Sequence, residues 1–185
     1  VDEYKKKIPG YDPKNSELFH SESARLADKD FLVAVKSQKF RDIVFMAGGT
    51  ASGKTEFALT NINEKSTLVY DGTFKNLDGF QVKLKHIQKF AKNNPVIKII
   101  FIIPEDTTKA LGVFLKRERK MEHRTFFNTH VRSKISVARI LLETDTPVEI
   151  YTSVLNEVST KLDFTILESG NRQEIAKHLV LAAGA

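Results

Sequence analysis

Apolar residues along this chain fall into two kinds of run. Short, almost unbroken runs lie at Ile43 to Met46, Thr67 to Tyr70 and Val96 to Ile103. Elsewhere apolar residues recur three and four apart, as Leu77, Phe80, Leu84, Ile87 and Phe90 do. The first kind is what a strand covered on both faces needs, and the second is the period of an amphipathic helix. A helix is expected from Thr55 to Thr60. Another should follow Asp106, which can cap it, with Leu111, Phe114 and Leu115 inward. A third should present Val131, Ile135, Ala138, Leu141 and Leu142 on one face. Val148 to Tyr151 and Phe164 to Leu167 read as further short strands, and Gln173 to Leu181 as a last helix. The stretch 152–161 has no decisive period.

Ahead of the first strand, Leu18, Phe19, Leu26, Phe31, Leu32 and Val35 predict helix over 16–37, in one piece or in two with Asp28 as an inner cap. Residues 1–15 are polar and broken by Pro9, Gly10 and Pro13, so they read as a loop or loosely held arm. Strands alternating with helices imply right-handed crossovers. The expected fold is α/β: a three-layer α/β/α domain over 16–185 with a mainly parallel sheet and an N-terminal helical segment over 16–38.

The connection after the first strand narrows this further. Gly48-Gly49-Thr50-Ala51-Ser52-Gly53-Lys54-Thr55 fits G-x-x-x-x-G-K-[ST], the phosphate-cradling P-loop, placed between a strand and a helix as that motif requires. Glycines let the backbone approach an anion, and a helix N-terminus offers unpaired N–H groups and partial positive charge. Lys54 can reach the outer phosphates, and the Thr55 hydroxyl can ligate Mg²⁺. The expected fold type is therefore that of P-loop NTPases and kinases, with ATP or GTP and Mg²⁺ as cofactors.

Composition adds exclusions. With 185 residues the chain can bury a core without staples, and with no cysteine it has no disulfide, thiolate metal site or cysteine nucleophile. The longest apolar run, Ile99 to Ile103, is far too short for a bilayer. No apolar stretch follows Lys5-Lys6-Lys7, so no secretory signal is expected, and the cytoplasm is the expected compartment. The chain opens on Val1 rather than Met, as a trimmed chain would. A net charge of +6 suits a protein that handles polyanions but does not require one.

Phosphoryl transfer needs a carboxylate near the metal or the attacking hydroxyl, and cations on the transferred group. Asp71 follows the second strand directly, and Gly72 leaves room beside it, so Asp71 can orient or deprotonate a hydroxyl or hold Mg²⁺. Glu105 and Asp106 follow the third strand, where a Walker-B-like acid could sit, although Asp106 is more simply a helix cap. The basic run Lys116-Arg117-Glu118-Arg119-Lys120, with Arg124, is either a solvated helix end or a lid over the nucleotide. His20, His86, His123, His130 and His178 have no zinc-like spacing.

In order, these segments resemble the zeta toxin family of P-loop kinases, in its compact form. Tyr11-Asp12-Pro13 with Phe19-His20-Ser21-Glu22-Ser23 is similar to the family's stretch before the loop. Met46 to Thr55 resembles its Walker motif, Tyr70-Asp71-Gly72-Thr73-Phe74 its [DE]-G-T element, and Arg117 to Arg124 with Thr129-His130-Val131-Arg132 its lid and following helix. The resemblance implies transfer of the ATP γ-phosphate to a hydroxyl, in the best-known members the 3′-hydroxyl of a UDP-linked amino sugar. It also implies an antitoxin partner, with Arg117 and Arg124 as transition-state cations. One departure matters: sixteen positions separate Thr55 from Asp71, where longer members carry a substrate-binding region and the aspartate taken as base. Asp12 therefore competes with Asp71 for that role, and the acceptor, a nucleotide-sugar or another small hydroxyl compound, stays open.

Two other readings stand beside the small-molecule kinase. One is a polynucleotide kinase or another nucleic-acid-modifying P-loop enzyme, which the charge permits but no aromatic stacking platform supports. The other is a nucleotide-binding module without catalysis, one half of a toxin–antitoxin pair.

Overall fold

The computed structural model describes residues 2–118, 121–156, 159–167 and 171–184. Five strands form one sheet in the order β2-β1-β3-β4-β5. These are β1 (Asp42–Ala47), β2 (Thr67–Asp71), β3 (Val96–Pro104), β4 (Val148–Leu155) and β5 (Leu162–Ile166). β2, β1, β3 and β4 run parallel, and β5 returns antiparallel beside β4. The helices are α1 (Asp2–Lys5), α2 (His20–Ser37), α3 (Lys54–Asn61), α4 (Leu77–Phe90), α5 (Thr107–Lys116), α6 (His123–Glu143) and α7 (Arg172–Gly184).

Alternation along the central strands feeds two layers, because successive side chains point to opposite faces. Ile43, Phe45, Ala47, Ile99, Phe101 and Ile150 face α2, α4, α6 and α7, meeting Phe31, Val35, Phe80, Ile87, Val137, Ile140 and Leu179. Val44, Met46, Ile100 and Ile102 face the other way, onto Phe57 of α3. The mainly parallel three-layer α/β arrangement is as the alternation of elements predicts. A smaller cluster of Ala110, Phe114 and Phe126 joins α5 to the start of α6 and touches Ala51 of the loop after β1.

Three local expectations change. Helix α2 is one piece, and Asp28 is no inner cap. Its carboxylate accepts from the Tyr70 hydroxyl at 2.7 Å and pairs with Lys83 Nζ at 2.9 Å, tying α2 to β2 and α4. The opening residues are packed rather than loose: Lys5 and Ile8 are buried, and Tyr4 donates to Asp30 at 2.9 Å. Between α1 and α2 lie 3₁₀ turns over Pro13–Phe19, broken at Asn15. Finally, α6 is rotated from the face its apolar spacing predicts. Val131, Ile135 and Leu142 are exposed, whereas Thr129, His130, Ser133 and Ser136 are buried beside Phe126, Val137 and Ile140. Small polar side chains let the helix lie close to the loop after β1 and hydrogen-bond its backbone. Stretch 152–161 splits between the end of β4 and a turn, and Glu157 and Val158 in it fall outside the described residues.

Candidate functional site

β1 ends at Ala47, and the chain turns at once through Gly48 to Gly53 into α3. Gly48 has φ +142°, and a Cβ there would come within 2.5 Å of the Ile102 carbonyl and 2.7 Å of Ser52 Oγ, so only glycine fits. Ala51 takes a left-handed φ of +63°, and the N-cap of α3 is Gly53 with φ +89°. The first backbone N–H bonded back into α3 belongs to Phe57, which donates to Gly53 O at 2.9 Å. The N–H groups of Lys54, Thr55 and Glu56 thus precede the helical ladder, as first-turn donors do, and form the positive end of α3.

Lys54 is buried and folds over this loop. Its Nζ donates to Gly49 O at 2.7 Å, Gly48 O at 3.1 Å and Ser52 Oγ at 3.3 Å. The next residue reaches the neighbouring strand: Thr55 Oγ1 donates to Asp71 Oδ2 at 3.0 Å. Register explains the contact, because Asp71 sits opposite Met46, just before the loop. The topology thus brings together Lys54, Thr55 and Asp71 at the carboxyl ends of two adjacent parallel strands, where ligands bind in open α/β sheets.

Two further elements hold the loop from behind. Thr129 Oγ1 donates to Phe126 O at 2.9 Å, so it accepts from both Thr50 N–H at 3.0 Å and Thr50 Oγ1 at 3.1 Å. His130 Nε2 lies 2.9 Å from Thr50 O. A carbonyl can only accept, so Nε2 carries the proton. Burial lowers the His130 pKa to about 4, reinforced by the charges of Lys54 and Lys134 against the opposing Thr50 carbonyl, and the ring is neutral near pH 7. Gly49 lies flat on that ring, and a Cβ there would overlap its Cγ, Nδ1 and Cδ2 atoms. From β4, Ser153 Oγ donates to Ser52 O at 2.9 Å.

The other sequence-derived candidates lie elsewhere or have other partners. Asp12 caps the 3₁₀ turns: Oδ1 accepts from Lys14 N at 2.9 Å and Oδ2 from Asn15 Nδ2 at 2.7 Å. Asp106 caps α5 through Thr108 N at 2.8 Å and Lys109 N at 3.0 Å. Arg117 is the half-buried C-cap of α5, and Arg124 is exposed in the first turn of α6. They flank the connection between these helices, of which Arg119 and Lys120 fall outside the described residues. Glu17 ties the N-terminal segment to the same place, its Oε1 accepting from Glu122 N and Thr125 Oγ1, both at 3.1 Å.

Sequence reasoning left Thr129 and His130 without a contact and Ser153 in an unassigned stretch. Thr129 and His130 enter only through the resemblance of Thr129-His130-Val131-Arg132, and the apolar period of the helix does not point to them. Among the described residues no three His, Asp or Glu gather as a metal site, and no helix is long and apolar enough to cross a membrane.

Known structures share this architecture. The crystal structure of AvrRxo1-ORF1:AvrRxo1-ORF2 with sulphate ions superposes with a TM-score of 0.55 over 93% of this chain and 74% of that one, at 10% identity. The structure of AvrRxo1-ORF1:-ORF2 with ATP gives 0.53 over 92% and 73%, also at 10% identity. At that identity the likeness is one of fold. No protein-family model and no curated protein matches the chain.

Proposed function

We propose that this chain is an ATP-dependent phosphotransferase of the zeta-toxin kind, which moves the γ-phosphate onto a hydroxyl of a small acceptor. The observation that carries the reading is the Thr55–Asp71 hydrogen bond of 3.0 Å beside a buried Lys54 on a glycine-rich loop. Lysine, hydroxyl and carboxylate are the three groups phosphoryl transfer asks for at the phosphate tail. The similarly folded AvrRxo1-ORF1:-ORF2 has been solved with ATP, which supports a nucleotide here.

The residues fit the cofactors. The cradle has no room for a Cβ at Gly48 or Gly49. The carbonyls that hold Lys54 Nζ are weaker partners than phosphate oxygens, so the ammonium would exchange them for the β- and γ-phosphates. Thr55 Oγ1 and the Asp71 carboxylate are the oxygens that would hold Mg²⁺, whose charge would offset that of the triphosphate. Asp71 also serves as acceptor of the proton from the incoming hydroxyl. That oxygen forms a bond to the γ-phosphorus as the bond to the bridging oxygen breaks, releasing ADP. Asp71 is favoured over Asp12 because both Asp12 oxygens are occupied by turn hydrogen bonds. Arg117 and Arg124, on either side of the α5–α6 connection, supply cations to the moving phosphoryl group.

The test is transfer of labelled γ-phosphate to candidate hydroxyl compounds, nucleotide-sugars first. Lys54→Ala should abolish transfer. Asp71→Asn should slow it by about 10²-fold or more, the range of general-base contributions, with ATP binding largely intact. Normal turnover by Asp71→Asn would refute the base assignment.

A second reading is a protein that acts through a partner, as a toxin held by an antitoxin. AvrRxo1-ORF1 crystallises with a second protein, ORF2. Here Phe127, Val131, Ile135 and Leu142 form an exposed apolar row along α6, beside Arg124, Arg132 and Arg139. Such a row suits a protein partner. ATP–Mg²⁺ that stabilises the fold with no acceptor phosphorylated would favour this reading.

A further inference from the structure

We propose that Thr129 and His130 of α6 are positioning residues that lock two successive peptide planes of the phosphate loop into the anion-binding shape before any nucleotide arrives. The proposal rests on reading the loop as a nucleotide site and names what holds it ready.

The argument follows from peptide geometry. In a planar trans peptide the C=O and the next N–H point in opposite directions, and the described residues contain no cis bond. In the 49–50 plane, the Thr50 N–H points into α6 and donates to Thr129 Oγ1 at 3.0 Å. The Gly49 carbonyl therefore points away from α6, where it accepts from Lys54 Nζ at 2.7 Å. In the 50–51 plane the sense is reversed. The Thr50 carbonyl points into α6, held by His130 Nε2 at 2.9 Å, so the Ala51 N–H is turned away from that helix. That second plane leads into Ala51 at φ +63°, a conformation an alanine adopts only when its surroundings impose it.

The two helix contacts differ from the lysine contact in one respect. Lys54 must release Gly49 O to reach a phosphate, whereas Thr129 and His130 bond groups on the far side of the loop and can hold through binding. Both side chains are buried, so each bond is shielded from water. The neutral His130 ring adds a flat wall under Gly49 without adding charge behind an anion site. A loop held in this way has less conformational freedom to lose when the anion binds.

The experiment uses Mg²⁺–tripolyphosphate as probe, by titration calorimetry on the whole chain, with urea midpoints measured alongside. Thr129→Val removes the acceptor at nearly constant shape, and His130→Phe keeps a ring without the donor. Each should weaken binding by about tenfold or more, while Thr129→Ser and His130→Gln, which restore the acceptor and the donor, stay within about threefold of wild type. A purely structural role would make affinity follow the urea midpoint instead of the restored hydrogen bond. In wild-type protein free of ligand, the Thr50 amide should exchange slowly with deuterium, a readout that holds even if a variant fails to fold. Unchanged probe affinity in folded Thr129→Val and His130→Phe, or a Thr50 amide exchanging at open-loop rates, overturns the positioning role. Wild-type protein that takes up no tripolyphosphate overturns the nucleotide reading as well.

Discussion

Replacing Gly49 by alanine isolates the contact between the glycine-rich loop after β1 and α6. The φ of Gly49 is not in the left-handed region, so alanine meets no backbone penalty there, and the effect must come from the added methyl group. That methyl would overlap Cγ, Nδ1 and Cδ2 of His130. The ring cannot easily yield, because its Nε2 is tied to Thr50 O at 2.9 Å and its face packs on Phe126 at a centroid distance of 4.4 Å. Overpacking at a fixed site costs about 1–3 kcal/mol. For a domain of this length that lowers Tm by about 2–4 °C per kcal/mol. The companion variant is His130→Ala, which removes the obstacle and leaves space into which the new methyl fits. The double variant Gly49→Ala/His130→Ala should therefore be more stable than the sum of the two single changes by about 1–3 kcal/mol, a coupling within the range for residues in contact. Urea denaturation of wild type, both single variants and the double variant gives the cycle directly. Costs that simply add would show that Gly49 does not rest on His130, and the account of the loop's rear wall would be wrong.

Other consequences can be measured on the same protein. His130 has a folded-state pKa of about 4, below the ordinary histidine value of 6.5, so the unfolded chain binds the extra proton first as pH falls. Stability should be full above about pH 6.5 and decline towards pH 4, by up to about 3 kcal/mol from this group. His130→Gln should remove that part of the slope in urea titrations at pH 7 and pH 4.5, and an unchanged slope would refute the assignment. Arg172 closes the end of α6 by donating to Leu141 O at 3.2 Å, Thr144 O at 2.7 Å and Thr146 O at 3.3 Å. Arg172→Ala should cost about 1.5–3 kcal/mol by urea denaturation with no change in anion affinity, and a loss below 0.5 kcal/mol would show these bonds contribute little.

Much of this molecule is legible in one dimension. The apolar runs of β1 and β3, the three-and-four spacing of α4 and the Asp106 cap depend on near neighbours, and local rules apply to them. The loop after β1 is recognisable for the same reason: its glycines and the Lys54-Thr55 pair fall within eight consecutive residues. The spacing of Thr55 and Asp71 at two strand ends is also readable once the sheet is taken as parallel, although the hydrogen bond between them is a property of the register Met46↔Asp71.

The rear of the site was decided by tertiary structure alone. Apolar period assigns Val131, Ile135 and Leu142 to the inner face of α6, because period counts only where apolar residues fall. The helix instead turns Thr129, His130, Ser133 and Ser136 inward, because its N-terminal half abuts a loop whose buried N–H and C=O groups need partners. Those partners come from residues 79 and 80 positions away, and Ser153 reaches Ser52 across 101. No local pattern records contacts over such distances, so the sequence shows a glycine-rich loop between a strand and a helix, and only the packed chain shows what keeps it in shape.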